Sequence, residues 1–500
     1  MIELINASPE SQGLSSKYVT EFLQEIKEQK FDLHAFIIIK GDKVLAEGYS
    51  EPFNKDYHHR VYSSSKTYSA IAIGKLIGEG KAKLTDKLID FFPEYKKDCH
   101  PTIAETTLED ALTMQVSLAS VSYADVNVKF AGNINYTYKP SGWAKSFFVG
   151  TKGNLPNGMK FRYNTAASYL LNAIVYKVTG LNFLEYLRPE FDEMGISKDI
   201  DCVQSPDGVS WGGSGVLTTL RDFAKIGRLL LNKGKINGKQ LIPQDFMEKA
   251  VSKHTENCIS GLRMNNSCGY GYQIWVEPYG FGLHGMNSNS VHCFPEKDVI
   301  IAYQGGVNDQ VAKVSLYDKL LRIYKNIEKE PIEENPNEYS QMQKALGEMS
   351  LGKGYGEKYS KTEEKINGKK FRLKENPMGI NWVKVCFDKD GGKFVYENER
   401  GVKEFLFGRE EYVKFELPEI YSGIKLGEMM KKGYDSMGLG SWVMNDCLFL
   451  KINVVDMYIG HVNMLLRFKG DVLVLEMANN TEFFLYEYFG TAVGEMELDD

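Results

Sequence analysis

The sequence predicts an α/β protein of the α+β kind. A largely antiparallel sheet is built from both ends of residues 1–328, flanked by helices with a helical subdomain. A separate C-terminal all-β domain follows. Three observations predict this. Strand-like runs at 34–49 and 270–304 bracket a middle with helical apolar spacing. From Glu328-Lys329-Glu330-Pro331 to about 366 the chain turns charged and rich in Pro, Gly and Lys, which reads as a linker over 329–366. From 367 to 500 short alternating stretches return with few helical runs, as in a β-sandwich or small β-barrel. Five hundred residues also exceed one ordinary domain.

The elements follow in order. Residues 15–29 place Val19, Phe22, Leu23 and Ile26 on one helical stripe. Two apolar strands, 34–40 and 43–49, flank a Gly41-Asp42 turn. A helix begins near Ser63, carries Ala70, Ile73, Gly74 and Ile77 on one side, and ends near Gly78 and Gly80. Thr107 caps a short helix to Met114. Residues 120–160, rich in Gly, Asn, Tyr and Ser, read as a long irregular region suited to substrate-contacting loops. Helices over 166–179 and 219–231 come next, then strands at 271–276, 280–284, 290–294 and 298–303, and a helix near 309–327. In the last part the strands are 371–373, 382–387, 412–417, 448–452, 462–466 and 472–475, and the linker holds one helix near 339–346.

Hydrophobic residues make up 43% and charged residues 25%, the balance of a soluble globular chain. A net charge of −6 offers no attraction to nucleic acid or an anionic membrane, so neither is an expected partner. The N-terminal residues show no basic region or long apolar run, so neither signal peptide nor membrane span is expected. Seven cysteines, odd in number and never in C-x-x-C spacing, read as reduced thiols of a cytoplasmic protein. No metal or organic cofactor is implied, and the oligomeric state is not legible.

The chemistry concentrates at Arg60-Val61-Tyr62-Ser63-Ser64-Ser65-Lys66-Thr67. Ser63 and Lys66 are three apart, so on a helix they share a face. A hydroxyl at a helix N-terminus with an amine one turn away is a nucleophile with a base. The plain alternative is a helix cap. S-x-x-K also occurs at Ser350–Lys353 and Ser422–Lys425, but neither opens an amphipathic helix, so both read as chance.

In Tyr62-Ser63-Ser64-Ser65-Lys66-Thr67 the chain resembles the serine β-lactamase-like family, which holds class C β-lactamases, D-peptidases and related esterases. The resemblance spans roughly residues 10–325. Residues 37–47 look like the family's opening hairpin, Tyr163-Asn164-Thr165 like its second motif, and Trp211-Gly212-Gly213-Ser214-Gly215 like its glycine-rich turn. Leu283-His284-Gly285-Met286 looks like its third motif. The resemblance implies Ser63, Lys66 and Tyr163 as catalytic residues. It implies Thr165, His284, Gly285, Met286 and Asn287 for substrate binding and the oxyanion hole, where the Ser63 N–H pairs with a second amide near 286–287. Lys and Tyr ordinarily ionise near about 10, so enclosure has to bring one of them into range as a base.

Each residue has a duller reading: Tyr163 as a half-buried aromatic, His284 as a packed histidine, Asn164 and Thr165 as helix caps. The chain also departs from the family. Thr165 stands where Asn is usual, His284-Gly285-Met286 replaces Lys-Thr-Gly, and Met114 stands where many relatives carry His. A lysine that would hold a substrate carboxylate is missing. These departures favour a hydrolase of small esters or amides over a D-amino-acid amidase, peptidase or β-lactamase; a non-catalytic binding module on the same scaffold is the further alternative. A small ester, amide or peptide is the expected partner.

Overall fold

The computed structural model describes residues 1–117, 142–150, 153, 155–205, 207–258, 267–307, 309–353, 355–418, 434–455, 460–480 and 485–497. The chain divides into two compact units. Among the described residues the first holds Met1–Gly48 and His58–Glu348, and the second holds Tyr49–Tyr57 and everything from Met349.

In the first unit a short strand β1 (Ile5–Asn6) precedes helix α1 (Ser16–Glu28), capped by the Ser15 side chain, which accepts from the Lys17 N–H. Strands β2 (Leu33–Lys40) and β3 (Lys43–Tyr49) form the expected hairpin. Gly41 turns it at a φ of 59°. Then come α2 (Ser65–Gly78), α3 (Leu108–Leu112, with a reciprocal Thr107–Asp110 capping box), α4 (Trp143–Gly150), α5 (Thr165–Thr179) and α6 (Leu220–Leu231). Strands β4 (Trp275–Glu277), β5 (Gly280–Gly285), β6 (Asn289–Phe294) and β7 (Val299–Gly305) return to the sheet, followed by α7 (Gln310–Lys325) and α8 (Pro336–Gly347).

The sheet runs β1-β3-β2-β7-β6-β5-β4, so the two ends of this unit meet where β2 pairs antiparallel with β7, Ile38 opposite Ile301. Both faces are apolar, which is why β2 reads as an unbroken hydrophobic run. Phe36 meets Phe22 of α1 on one face, their ring centroids 5.3 Å apart. On the other, Gly227 of α6 lies so close to Val291, Cys293 and Ile300 that a Cβ there would sit 2.8 Å from Val291. Ile37, Ile38, Ile300 and Ile301 are wholly buried, each such side chain stabilising the fold by roughly 1.5–3 kcal/mol.

Three local expectations change. The 271–276 strand shrinks to β4, because Gln273 turns the chain at a φ of 59° and its side-chain amide donates to the carbonyls of Ala111 and Leu112. Much of the region expected to be irregular, 118–141 with 151, 152 and 154, lies outside the described residues, but 143–150 form helix α4 with Trp143, Phe147 and Phe148 buried. The 329–366 stretch is shared between the units: α8 lies on α1, where Glu338 accepts from the Ser15 hydroxyl at 2.7 Å and Met342 is buried.

The second unit is an all-β barrel. Its strands are β8 (Lys370–Leu373), β9 (Trp382–Phe387), β10 (Gly391–Asn398), β11 (Gly401–Gly408), β12 (Val413–Glu416), β13 (Asp435–Met444), β14 (Cys447–Val454), β15 (Gly460–Lys469), β16 (Val472–Asn480) and β17 (Gly490–Met496). Their order is β11-β10-β9-β8-β17-β16-β15-β14-β13-β12, and a parallel bridge from Gly408 to Leu439 joins β11 to β13 and closes the ring. Val462, Met464, Leu466 and Phe468 of β15 point inward while Leu465, Arg467 and Lys469 are exposed. Among the described residues no helix is long and apolar enough to cross a membrane.

Candidate active site

Ser63 sits in a 3-10 turn, Tyr62–Ser64, directly before α2. Within that turn the Ser64 N–H donates to the Val61 carbonyl at 3.1 Å. The turn is pinned from several sides. The Val61 N–H donates to the Val216 carbonyl at 2.9 Å, the Val216 N–H donates to the Ser65 hydroxyl at 3.0 Å, and the Ser64 hydroxyl donates to the Asn289 carbonyl at 2.9 Å. Tyr62, just before the hydroxyl, is held at a φ of 46°, an uncommon conformation for a bulky residue that persists only when its surroundings fix it.

Lys66 is 1% exposed. Its Nζ donates to the Ser63 Oγ at 3.1 Å and to the Gly213 carbonyl at 2.6 Å. The same nitrogen lies 4.8 Å from the centre of the Tyr163 ring. Three segments far apart in sequence therefore converge: the start of α2, the Tyr163 segment before α5, and the 211–215 turn. Tyr163 stacks on Trp275 with centroids 5.5 Å apart, so β4 sets its orientation. Gly213 is confined by its neighbours, since a Cβ there would stand 2.9 Å from the Thr165 methyl.

The Asn164 side chain accepts from the N–H groups of Ala166 and Ala167 and caps α5, the structural reading of that residue. Thr165 is the buried first residue of α5, with its methyl against Gly213. Gly285 ends β5 where a Cβ would lie 2.2 Å from the Val61 carbonyl oxygen, so only glycine fits. Met286 is 37% exposed, and Asn287, buried, adopts a φ of 57°.

His284 is turned inward. Its Nε2 lies 2.7 Å from the Glu277 carboxylate, and its Nδ1 is 3.4 Å from the Ser290 hydroxyl. Glu277 also accepts from His292 Nδ1 at 2.8 Å, and His292 Nε2 meets the Tyr303 hydroxyl at 2.9 Å. Burial alone would raise the Glu277 pKa, but the charge of His292 and hydrogen bonds from both imidazoles outweigh it and hold the carboxyl at about 2. Glu277, His284 and His292 carry ligand-type atoms within 4.8 Å of one another. Contacts of 2.7 and 2.8 Å are hydrogen-bond lengths, shorter than the roughly 3.3 Å separating ligand atoms around a tetrahedral zinc. The His292–Glu277 contact is a hydrogen bond, and His284 Nε2 lies close to the same carboxylate.

Away from this site, the Ser350 hydroxyl accepts from the N–H groups of Gly352 and Lys353, while the Lys353 amine pairs with Glu51 and Glu411. Ser422 and Lys425 lie outside the described residues. Sequence reasoning missed Glu277, His292 and Arg60. The one signal was a carboxylate and two histidines spread over three neighbouring strands, with Glu277 opposite Gly280, His292 opposite Gly282 and His284 opposite Ser290.

The family model described as Beta-lactamase matches residues 19–305. The 6-aminohexanoate-dimer hydrolase of Paenarthrobacter ureafaciens is 25% identical over 275 residues, covering 51% of this chain and 68% of that protein. A solved Bacillus anthracis chain, itself proposed to be a 6-aminohexanoate-dimer hydrolase, shares the fold with a TM-score of 0.52 and 19% identity, over 65% of this chain and 86% of that one. The octameric penicillin-binding protein homologue from Pyrococcus abyssi aligns over 95% of this chain and 99% of that one, with 16% identity and a TM-score of 0.49.

Proposed function

The chain belongs to the Beta-lactamase family of serine hydrolases, and on that premise we propose that it cleaves a small ester or amide through an acyl-enzyme on Ser63. The observation that carries this reading is the 3.1 Å hydrogen bond between Lys66 Nζ and Ser63 Oγ, made by a buried amine beside Tyr163. Lys66 and Tyr163 take the Ser63 proton as a coupled pair while Oγ attacks the carbonyl carbon. The oxyanion lies between the Ser63 N–H and a second amide at Met286 or Asn287. The proton passes to the leaving alcohol or amine, and water then releases the acid by the same steps in reverse order.

The inward turn of His284 supports an ester or amide without an obligatory carboxylate. Its nitrogens face Glu277 and Ser290, so the third motif offers no lysine-like ammonium to such a group. The test is mass spectrometry of the protein after exposure to a panel of aryl esters, amides and β-lactams. Acyl mass on the peptide containing Ser63, absent in Ser63→Ala, is the expected result. Unimpaired turnover by Ser63→Ala would end the proposal.

A further inference from the structure

Arg60 is a charged residue in a place that seldom takes one. It is 1% exposed, on a two-residue strand, His59–Arg60, that pairs with 217–218. Its guanidinium carbon lies 4.8 Å from the centre of the Tyr62 ring and 5.0 Å from that of Trp211. Its Nε donates to the Ser214 carbonyl at 2.8 Å and its Nη2 to the Ser214 hydroxyl at 3.3 Å.

Each of these partners adjoins a working atom. Tyr62 directly precedes Ser63. Ser214 directly follows Gly213, whose carbonyl receives Lys66 Nζ at 2.6 Å. Two cations thus hang on consecutive carbonyls of one turn, one fixed and one able to lose its proton. Burying a guanidinium is costly unless acceptors and π faces replace its water, and both are supplied here. A planar fork between two rings, with donors in its own plane, is a geometry lysine cannot reproduce.

We propose that Arg60 is a positioning residue of the Ser63–Lys66 pair: it ties the nucleophile's turn to the carbonyl turn that holds the Lys66 amine, and it sets a fixed positive charge on the carbonyl next to the one that amine holds. The inference rests on the acyl-enzyme reading above. A like charge nearby disfavours the protonated amine, so Arg60 also helps Lys66 to act as a base. Among the described residues, titratable groups near this turn include Tyr163 from the segment before α5, Tyr62 on the nucleophile's own turn, and Asp201 and Cys202 on a two-residue strand that pairs with 216–217. His284 adjoins Gly285, which packs against the Val61 carbonyl, and lies 2.7 Å from Glu277. Of these, burial pushes the Cys202 thiol up and the imidazoles hold Glu277 ionised, so neither titrates over the acid limb in place of Lys66.

The test measures the rate at which a fluorophosphonate probe labels the full chain, as a function of pH, in wild type and in Arg60→Met, Arg60→Lys, Ser214→Ala and Ser63→Ala. Arg60→Met should label about ten- to a hundred-fold more slowly, with the acid limb of its profile moved to higher pH, because Lys66 then keeps its proton longer. Arg60→Lys keeps the charge and loses the fork, so its limb stays near that of wild type while its rate falls. Ser214→Ala should lower the rate several-fold without moving the limb. A folded Arg60→Met with the wild-type rate and profile would overturn the proposal. If that variant does not fold, Ser214→Ala and Arg60→Lys both labelling at the wild-type rate would overturn it instead. Labelling of Ser63→Ala at the wild-type rate would remove the acyl-enzyme reading itself, a separate failure from that of Arg60.

Discussion

The side-chain amide of Asn287 donates to the hydroxyl of Tyr62 at 3.3 Å, and both residues hold left-handed backbones, with φ of 57° and 46°. One precedes the Ser63 hydroxyl; the other follows the last strand residues of the site. The two uncommon turns are therefore linked by a side-chain hydrogen bond. Asn adopts that conformation more readily than most residues, because its short polar side chain offsets part of the cost.

Asn287→Gly keeps the backbone free and removes the amide, whereas Asn287→Val removes the amide and adds left-handed strain of about 1–2 kcal/mol. The glycine variant should melt within a few degrees of wild type and lose several-fold in ester turnover. The valine variant should lose both stability and most of its activity. A double-mutant cycle with Tyr62→Phe should return a coupling of about 1 kcal/mol. Additive effects would mean that the contact does not couple the turns.

Gly285→Ala is expected to be severe for one methyl group. The new Cβ would fall 2.2 Å from the Val61 carbonyl oxygen, and Val61 is two residues from Ser63. The strand or the turn must shift, at a cost of about 1–3 kcal/mol. Ester turnover should fall at least ten-fold, mainly in kcat, since in the proposed mechanism the displaced groups hold the transition state. Chemical denaturation and steady-state kinetics on the same preparation would separate the two effects.

Lys66→Met removes the amine but keeps a stem that fills its space. Turnover should fall by three or more orders of magnitude with KM little changed, as for a group acting on the chemical step. Lys66→Arg should not rescue it, because a guanidinium cannot give up its proton near neutral pH. The variant should remain folded. Recovery of turnover in Lys66→Arg would assign the residue a charge role in place of a proton-transfer role.

How much was legible follows from how far each signal reaches along the chain. Ser63 and Lys66 are three residues apart on one helix, so their juxtaposition was written locally. The β2–β3 hairpin was equally plain, because two largely apolar runs flank the Gly41-Asp42 turn. Strands β10, β11, β13 and β17 were not anticipated. They hold glycine and charge where a strand pattern wants β-branched residues, and the reason is distant. A Cβ at Gly438 would meet the Leu406 carbonyl, 32 residues back in the chain, at 1.9 Å. Barrel closure brings those backbones together, and no local period encodes it. Arg60 and Glu277 stayed hidden for a related reason. In a sequence a buried charge looks like a surface charge, and the Ser214 that accepts from Arg60 lies 154 residues away.

Glu277 yields the pH prediction. Its carboxyl ionises at about 2 in the folded chain against 4.5 for the free group. A depressed carboxylate pKa contributes stability that is fully present above the unfolded value and lost as pH falls through the folded one. The window is therefore from about 4.5 down to about 2, and the linked stability is about 3 kcal/mol. Glu277→Gln should be less stable than wild type by about that amount at pH 7, because two imidazoles lose the charge that compensates a buried proton. The gap between the variants should narrow as pH falls below 4.5. Urea unfolding of both proteins from pH 7 to pH 3 measures it. A gap that stays constant over this range would show that Glu277 contributes through packing, with its charge playing no part in stability.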